Sequence, residues 1–162
     1  MSALEQLYQQ VILDHARERH GEGLIEVGEG AMAGESFQVN PTCGDEVTLR
    51  LRLDEAPDGG APVLADLGWA GVGCSISRAS LSIMTDLVLG KDVREVDALA
   101  EDFRALMSAR GEPLGDEREE RLEDAAALVG VAKFPARIKC ALLGWMALRD
   151  ASAKALVGEA PR

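Results

Sequence analysis

Basic side chains, long apolar runs and cysteine are all scarce in this chain of 162 residues. Seventeen Lys and Arg face 28 Asp and Glu, a formal charge of -11. Nothing in that balance resembles the basic stripe that neutralises phosphates, so nucleic acid is not an expected partner. An acidic excess commonly serves solubility, and it also steers a protein toward a basic patch on another protein. No apolar run approaches the roughly 20 residues that a membrane helix needs. The opening "MSALEQLYQQVILDH" has neither the basic start nor the cleavage site of a signal peptide. No membrane association is expected, and the expected location is the cytoplasm. The three cysteines, Cys43, Cys74 and Cys140, cannot all pair within one chain, and a reducing compartment keeps them as thiols. Their positions have to explain them.

What is present supports one folded domain, with 47% hydrophobic residues. Ser2 and Glu5 form a capping box for a first helix whose Leu4, Leu7, Tyr8, Val11 and Ile12 fall at one-face spacing and which ends near "RERHGEG". Phe37 and Val39 alternate in "SFQVN", and Val47, Leu49, Leu51 and Leu53 alternate with Glu46, Thr48, Arg50, Arg52 and Asp54. A period of two predicts strands with one buried and one wet face. After the "EAPDGGAP" turn, a third strand is predicted with Val63, Ala65, Leu67 and Trp69 on one face. Helical spacing then returns in "CSISRASLSIMTDLVLG", in a stretch capped by Asp92 and Glu95, in the charged "DEREERLEDAAALVG" and in a long final segment that Pro135 can start. The predicted fold is α+β, a small antiparallel sheet of at least three strands with helices packed on one face.

Hairpin geometry gives the cysteines a meeting place. The turn "PTCG" marks one end of the sheet; the second strand leaves that end and the third returns to it with "GVGC". Cys43, Asp45 and Cys74 are therefore expected on one rim. Cys140 lies near the start of the last helix, and on a helical wheel it points away from the Ile138, Leu142 and Trp145 stripe, on a side with the small Gly144 and Ala147. If that stripe faces the core, Cys140 is not core filler; close approach of another element is the other use for a small side. A lone cysteine reads first as buried filler. Cys43 sits in a Pro/Gly turn where packing rarely needs a thiol, and Cys74 begins a helix whose free N–H groups favour a thiolate. Thiolates gathered with a carboxylate want a cation, and the set suits zinc best, though an iron–sulfur cluster accepts the same sulfurs. Asp45 also reads as a plain turn aspartate. His15 continues the apolar stripe of the first helix, and His20 precedes a glycine at its end, so neither is chosen as a ligand.

At "NPTCGD", "GVGCSIS" and "RIKCALLGW" the sequence resembles the IscU/NifU-like family, and within it the SufU branch, over about residues 3 to 155. Lys139 stands before Cys140, where scaffold members of the family have a histidine, and "FPARIK" replaces their proline-rich chaperone-docking motif. The segment at about 111–133 looks like the charged helical insertion of the SufU type, within a single domain over 1–162. The resemblance implies a SUF-system zinc-dependent sulfurtransferase: Cys43, Asp45, Cys74 and Cys140 as ligands of Zn2+, and Cys43 as the acceptor of persulfide sulfur. Its implied partner is a SufS-type pyridoxal-phosphate cysteine desulfurase, with iron–sulfur scaffold components downstream. The alternative is a scaffold that assembles a transient iron–sulfur cluster on Cys43, Cys74, Cys140 and Asp45. Arg137, one helical turn before Cys140, is a candidate neighbour of the ligand carboxylate or of the persulfide, and equally a surface charge.

Overall fold

A computed structural model describes residues 2–158. In chain order it contains α1 (Ala3–Glu18), β1 (Met32–Asn40), β2 (Asp45–Asp54), β3 (Val63–Val72), α2 (Ser75–Val88), α3 (Val93–Ser108), α4 (Asp116–Leu122), a 3-10 segment (Glu123–Lys133) and α5 (Pro135–Leu156). The strands form one antiparallel meander in the order β1-β2-β3, and the fold is the expected α+β arrangement. The helix starts follow from local chemistry. Ser2 Oγ accepts the Glu5 N–H at 3.1 Å, Asp92 accepts from the backbone of Arg94 and Glu95, and Pro135 occupies the first turn of α5. No helix among the described residues is long and apolar enough to cross a membrane.

Val47, Leu49, Leu51 and Leu53 of β2 are buried and turned toward the helices. Each such side chain contributes roughly 1.5–3 kcal/mol over its exposed state. Trp69 lies opposite Leu49 on the same face, and Trp145 of α5 stacks on Phe103 of α3 with ring centroids 4.6 Å apart. The outer strands depart from the sequence pattern. In β1 the expected order is inverted: Phe37 and Val39 are exposed, while Gly34, Ser36 and Asn40 face inward. The cause is α5, which passes so close that a Cβ at Gly34 would lie 1.9 Å from the Ala151 carbonyl oxygen. Only small or hydrogen-bonded polar side chains fit there. In β3 an irregularity at Arg52/Leu53 shifts the register, so Leu64 turns inward and Val63 and Ala65 stay half-buried.

Two helices also correct the pattern. Leu4 and Leu7 of α1 are exposed, and only the later part of its stripe, Val11, Ile12 and His15, reaches the interior. The charged run 116–124 is more than a solvated face. Arg118 and Arg121 of α4 bond the buried Asp102 carboxylate of α3 at 2.9 and 3.1 Å. Beyond Leu122 the chain tightens into the 3-10 segment, whose Ala125, Leu128 and Val131 are buried.

Candidate metal centre

The rim of the sheet is built from the turn between β1 and β2. Gly44 takes φ +74°, open to glycine at little cost, and its N–H bonds the Asn40 carbonyl at 2.9 Å. The Asn40 side chain completes the turn from inside. Its Oδ1 accepts the Thr42 N–H at 3.2 Å and its Nδ2 donates to Cys43 Sγ at 2.9 Å. Cys43 thus stands exposed at the tip with its sulfur held in one direction. Asp45, two residues on, is buried at the first position of β2.

The return strand β3 brings the second cysteine to the same rim. Cys74 is the N-cap of α2, and its Sγ lies 3.8 Å from Asp45 Oδ2 and 3.6 Å from Ser77 Oγ. Ser77 Oγ donates to Asp45 Oδ2 at 2.5 Å. A Cβ at Gly73 would lie 2.9 Å from that of Ser77, so glycine there allows strand and helix to close on Asp45. From the other side α5 delivers Cys140, whose Sγ is 3.4 Å from Cys43 Sγ. The wheel reading that set Cys140 apart from a core-facing stripe is corrected. Cys140 is only 6% exposed, because α5 is covered on both sides. Its small side admits the close approach of α2, with Leu81 filling the space a Cβ at Gly144 would take.

Electrostatics sharpen what this cluster can do. Burial opposes the charge on Asp45, yet hydrogen bonds from Ser77, the Cys140 and Cys43 thiols and the Cys74 backbone hold its carboxyl below the usual range. The same contacts act oppositely on sulfur. Burial first, then Asp45, Cys43 and Cys74, push the Cys140 thiol far above an ordinary cysteine. Several anions in this space therefore need a cation among them. Cys43, Asp45 and Cys140 each place one donor atom within 4.8 Å of the others, and Cys74 joins them beside Asp45. Three sulfurs and one oxygen fit the tetrahedral set that zinc takes.

Comparison with known proteins decides the family. Residues 7–141 match the model of the NifU-like N terminal domain. The chain belongs to that family. It is 39% identical over 151 residues to the iron-sulfur cluster assembly scaffold protein IscU of Streptococcus pyogenes serotype M1, covering 93% of this chain and 86% of that one. It is also 39% identical over 156 residues to the zinc-dependent sulfurtransferase SufU of Bacillus subtilis (strain 168), covering 93% and 92%. The crystal structure of the N-terminal part of a nitrogen-fixing NifU-like protein from Brucella abortus superposes with a TM-score of 0.71 at 22% identity, covering 98% of this chain and 100% of that one, and shows the fold.

Other candidates fall elsewhere. The Arg137 guanidinium lies 5.3 Å over the Phe134 ring, while Asp45 takes its hydrogen bonds from Ser77, the cysteines and the Cys74 backbone. His15 is buried against Ser82 at the middle of α2, and His20 lies beside it. Sequence reasoning passed over Asn40 and Ser77, the two residues that hold the site from behind. The signal for Ser77 was its place three residues after Cys74 at a helix start, where both side chains face the rim. Asn40 carried none beyond its place before proline.

Proposed function

We propose that this protein is a zinc-dependent sulfurtransferase that accepts persulfide sulfur on Cys43 from a SufS-type pyridoxal-phosphate cysteine desulfurase and passes it toward iron–sulfur cluster biosynthesis. The observation that carries the reading is the contrast among the cysteines. Cys140 is buried within α5; Cys74 and Cys43 are both exposed, but Cys74 is fixed as the cap of α2, whereas Cys43 stands on a turn that belongs to no helix. A macromolecular donor reaches that sulfur most easily. Zinc held by Cys43, Asp45, Cys74 and Cys140 would supply the positive charge that keeps these thiols deprotonated at neutral pH.

The Cys43 sulfur attacks the terminal sulfur of the donor persulfide, forming a new S–S bond as the donor's own S–S bond breaks. The donor thiolate leaves with the electron pair, so the exchange consumes no external oxidant. Asn40, through its amide N–H, holds the acceptor sulfur at the turn beside Cys140. Ser77 keeps the Asp45 carboxylate facing the cysteines.

The second reading is a scaffold that assembles an iron–sulfur cluster on the same four residues, and the name of the Streptococcus relative supports it. Lys139, exposed beside Cys140, favours the first reading, because the scaffold members that the chain resembles have histidine there. The deciding experiment measures alanine production by a SufS-type desulfurase with and without this zinc-loaded protein and its Cys43→Ala variant, at limiting reductant. Stimulation by the wild type that vanishes in the variant supports sulfur transfer. No stimulation, with a cluster reconstituted on the protein, replaces that reading with the scaffold.

A further inference from the structure

Along the second half of α2, side chains from three elements converge on two histidines. His15, near the end of α1, is buried, with Nδ1 2.8 Å from Ser82 Oγ. His20, just beyond α1, donates its backbone N–H to the same Ser82 oxygen at 2.9 Å. One hydroxyl of α2 therefore touches the ring of one histidine and the backbone of the other. The two rings meet edge to face, with centroids 5.2 Å apart. Carboxylates close the ring of groups. Asp86 Oδ2 is 2.6 Å from His20 Nδ1, Glu18 Oε2 is 3.0 Å from His20 Nε2, and Asp124 Oδ2 is 3.2 Å from His15 Nε2.

The charges in this cluster are unbalanced. Three carboxylates surround two imidazoles, and the neighbouring Arg17 and Arg19 are paired with Asp14 and Glu22 instead. A cation restores the balance. One atom from each of His15, His20 and Asp86 already lies within 4.8 Å of the other two. Donors around a transition ion with bonds of roughly 2.0–2.2 Å stand about 3–3.5 Å apart, so the 2.6 Å contact between His20 Nδ1 and Asp86 Oδ2 has to open to admit the ion. The His20 and Asp86 side chains, 40% and 51% exposed, are free to make that movement against a fixed His15.

We propose that His15, His20 and Asp86 form a second metal site, for a divalent first-row transition ion held by two nitrogens and one oxygen. Imidazole selects such ions over magnesium or calcium, and the absence of sulfur distinguishes the site from the cysteine cluster. Ser82 is its outer support, because a hydrogen bond to one nitrogen of a ligating histidine orients the ring and leaves the other nitrogen for the metal. Glu18 and Asp124 stand ready as further oxygen ligands or as partners of the rings. The ion would clasp the end of α1 to α2 without touching the rim, since Ser82 and Asp86 stand about 12–18 Å along α2 from Cys74 at 1.5 Å per residue. The proposal does not depend on the sulfur-transfer reading.

The test is a titration of the metal-free full chain with Co2+, read by visible absorption and by proton NMR of the histidine rings. Ligation by thiolate gives an intense sulfur-to-cobalt charge-transfer band, and ligation by nitrogen and oxygen gives none. The expected result is one equivalent bound without that band, with paramagnetic shifts at His15 and His20. His20→Ala and Asp86→Asn, both at exposed positions, are expected to remove this equivalent while leaving any thiolate-bound cobalt unchanged. The proposal is overturned if every bound equivalent shows the thiolate band, or if the band-free equivalent survives in both variants. His15→Ala is not needed, so a folding defect at a buried position cannot blur the answer.

Discussion

Helix α2 carries one serine near its start and one at its middle that reach across to other elements, and the surroundings of the two hydroxyls differ sharply. Ser77 donates to Asp45 at the rim, where three cysteines gather. Ser82, five residues on, holds His15 and His20 among three carboxylates. Between them Ser80 Oγ donates to the Ala141 carbonyl at 2.6 Å and accepts the Trp145 indole N–H at 3.1 Å. A buried helix with this many hydroxyls is unusual only until each is given its partner, since an unpaired buried hydroxyl costs about 1–3 kcal/mol. The spine of serines turns α2 into a frame that positions polar groups at two sites. The site with sulfur and an exposed turn suits chemistry on a nucleophile. The site with nitrogen and oxygen, tied to a buried histidine, suits structure.

The sharpest test of that division is Cys43→Ala. Persulfide acceptance, followed by thiol-specific labelling after incubation with the desulfurase and cysteine, is expected to fall to background. The melt of the metal-free protein, in which loss of a zinc ligand does not enter, is expected to move by no more than the ~0.5 kcal/mol usual for an exposed position. A lost fold would instead make the rim structural and erase the contrast with the other site. Metal removal probes the same site by a different route. A site saturated at about a thousand times its dissociation constant adds about 4 kcal/mol to stability. For a chain of this size that corresponds to a Tm lower by about 8–16 °C after chelation. Scanning calorimetry before and after a zinc chelator checks it, and an unchanged Tm would remove zinc as a resident of the rim.

The two serines then give a paired comparison. Ser77→Ala leaves the buried Asp45 carboxylate without its shortest hydrogen bond, and Ser82→Ala leaves the His20 N–H and a His15 nitrogen unpaired. Each is expected to lower stability by about 1–3 kcal/mol in denaturant melts. Only Ser77→Ala is expected to weaken zinc at the cysteine rim, by about 10–100-fold in a chelator competition, as loss of a partner behind a ligand does. Equal zinc affinities in the two variants would mean that Asp45 does not depend on Ser77.

How far the sequence could foretell these two sites follows from the kind of contact each needs. Cys43, Asp45 and Cys74 meet through hairpin geometry, which strand alternation and turn residues reveal. Their convergence was legible. Cys140 was placed only by the family resemblance, because a helical wheel does not say which side faces a sheet when α5 is covered on both. Phe37 and Val39 were misread for the same reason. Alternation gives two faces, and the close passage of α5 at Gly34 chose the polar one for the interior. The shift at Arg52/Leu53 leaves no mark in the residue pattern, so Val63 and Ala65 were turned the wrong way. The histidine cluster needs the end of α1 to meet the middle of α2, a tertiary contact that no local spacing encodes.

A second serine–aspartate pair isolates what the hydroxyl does without sulfur or histidine nearby. Ser36 Oγ of β1 donates to Asp150 Oδ2 of α5 at 2.6 Å, and Lys154 stands 3.2 Å from the same oxygen. The Ser36 hydroxyl holds the Asp150 carboxyl below its usual range; partial burial opposes this and Lys154 adds to it. Because the folded state lowers this pKa, the pair's contribution is present in full above the unfolded value of about 3.9 and is lost as pH falls through the lower, folded value. With Asp150 40% exposed, water screens the pair, and its worth is expected to stay under about 1 kcal/mol. Ser36→Ala should therefore cost that small amount at pH 7, and the gap from wild type should narrow below about pH 4. Urea melts at the two pH values measure it. A gap that stays constant would show that Ser36 acts through packing against α5 alone. The much larger effect expected for Ser77→Ala would then have to come from the cysteines around Asp45, and not from the serine–carboxylate bond that the two sites share.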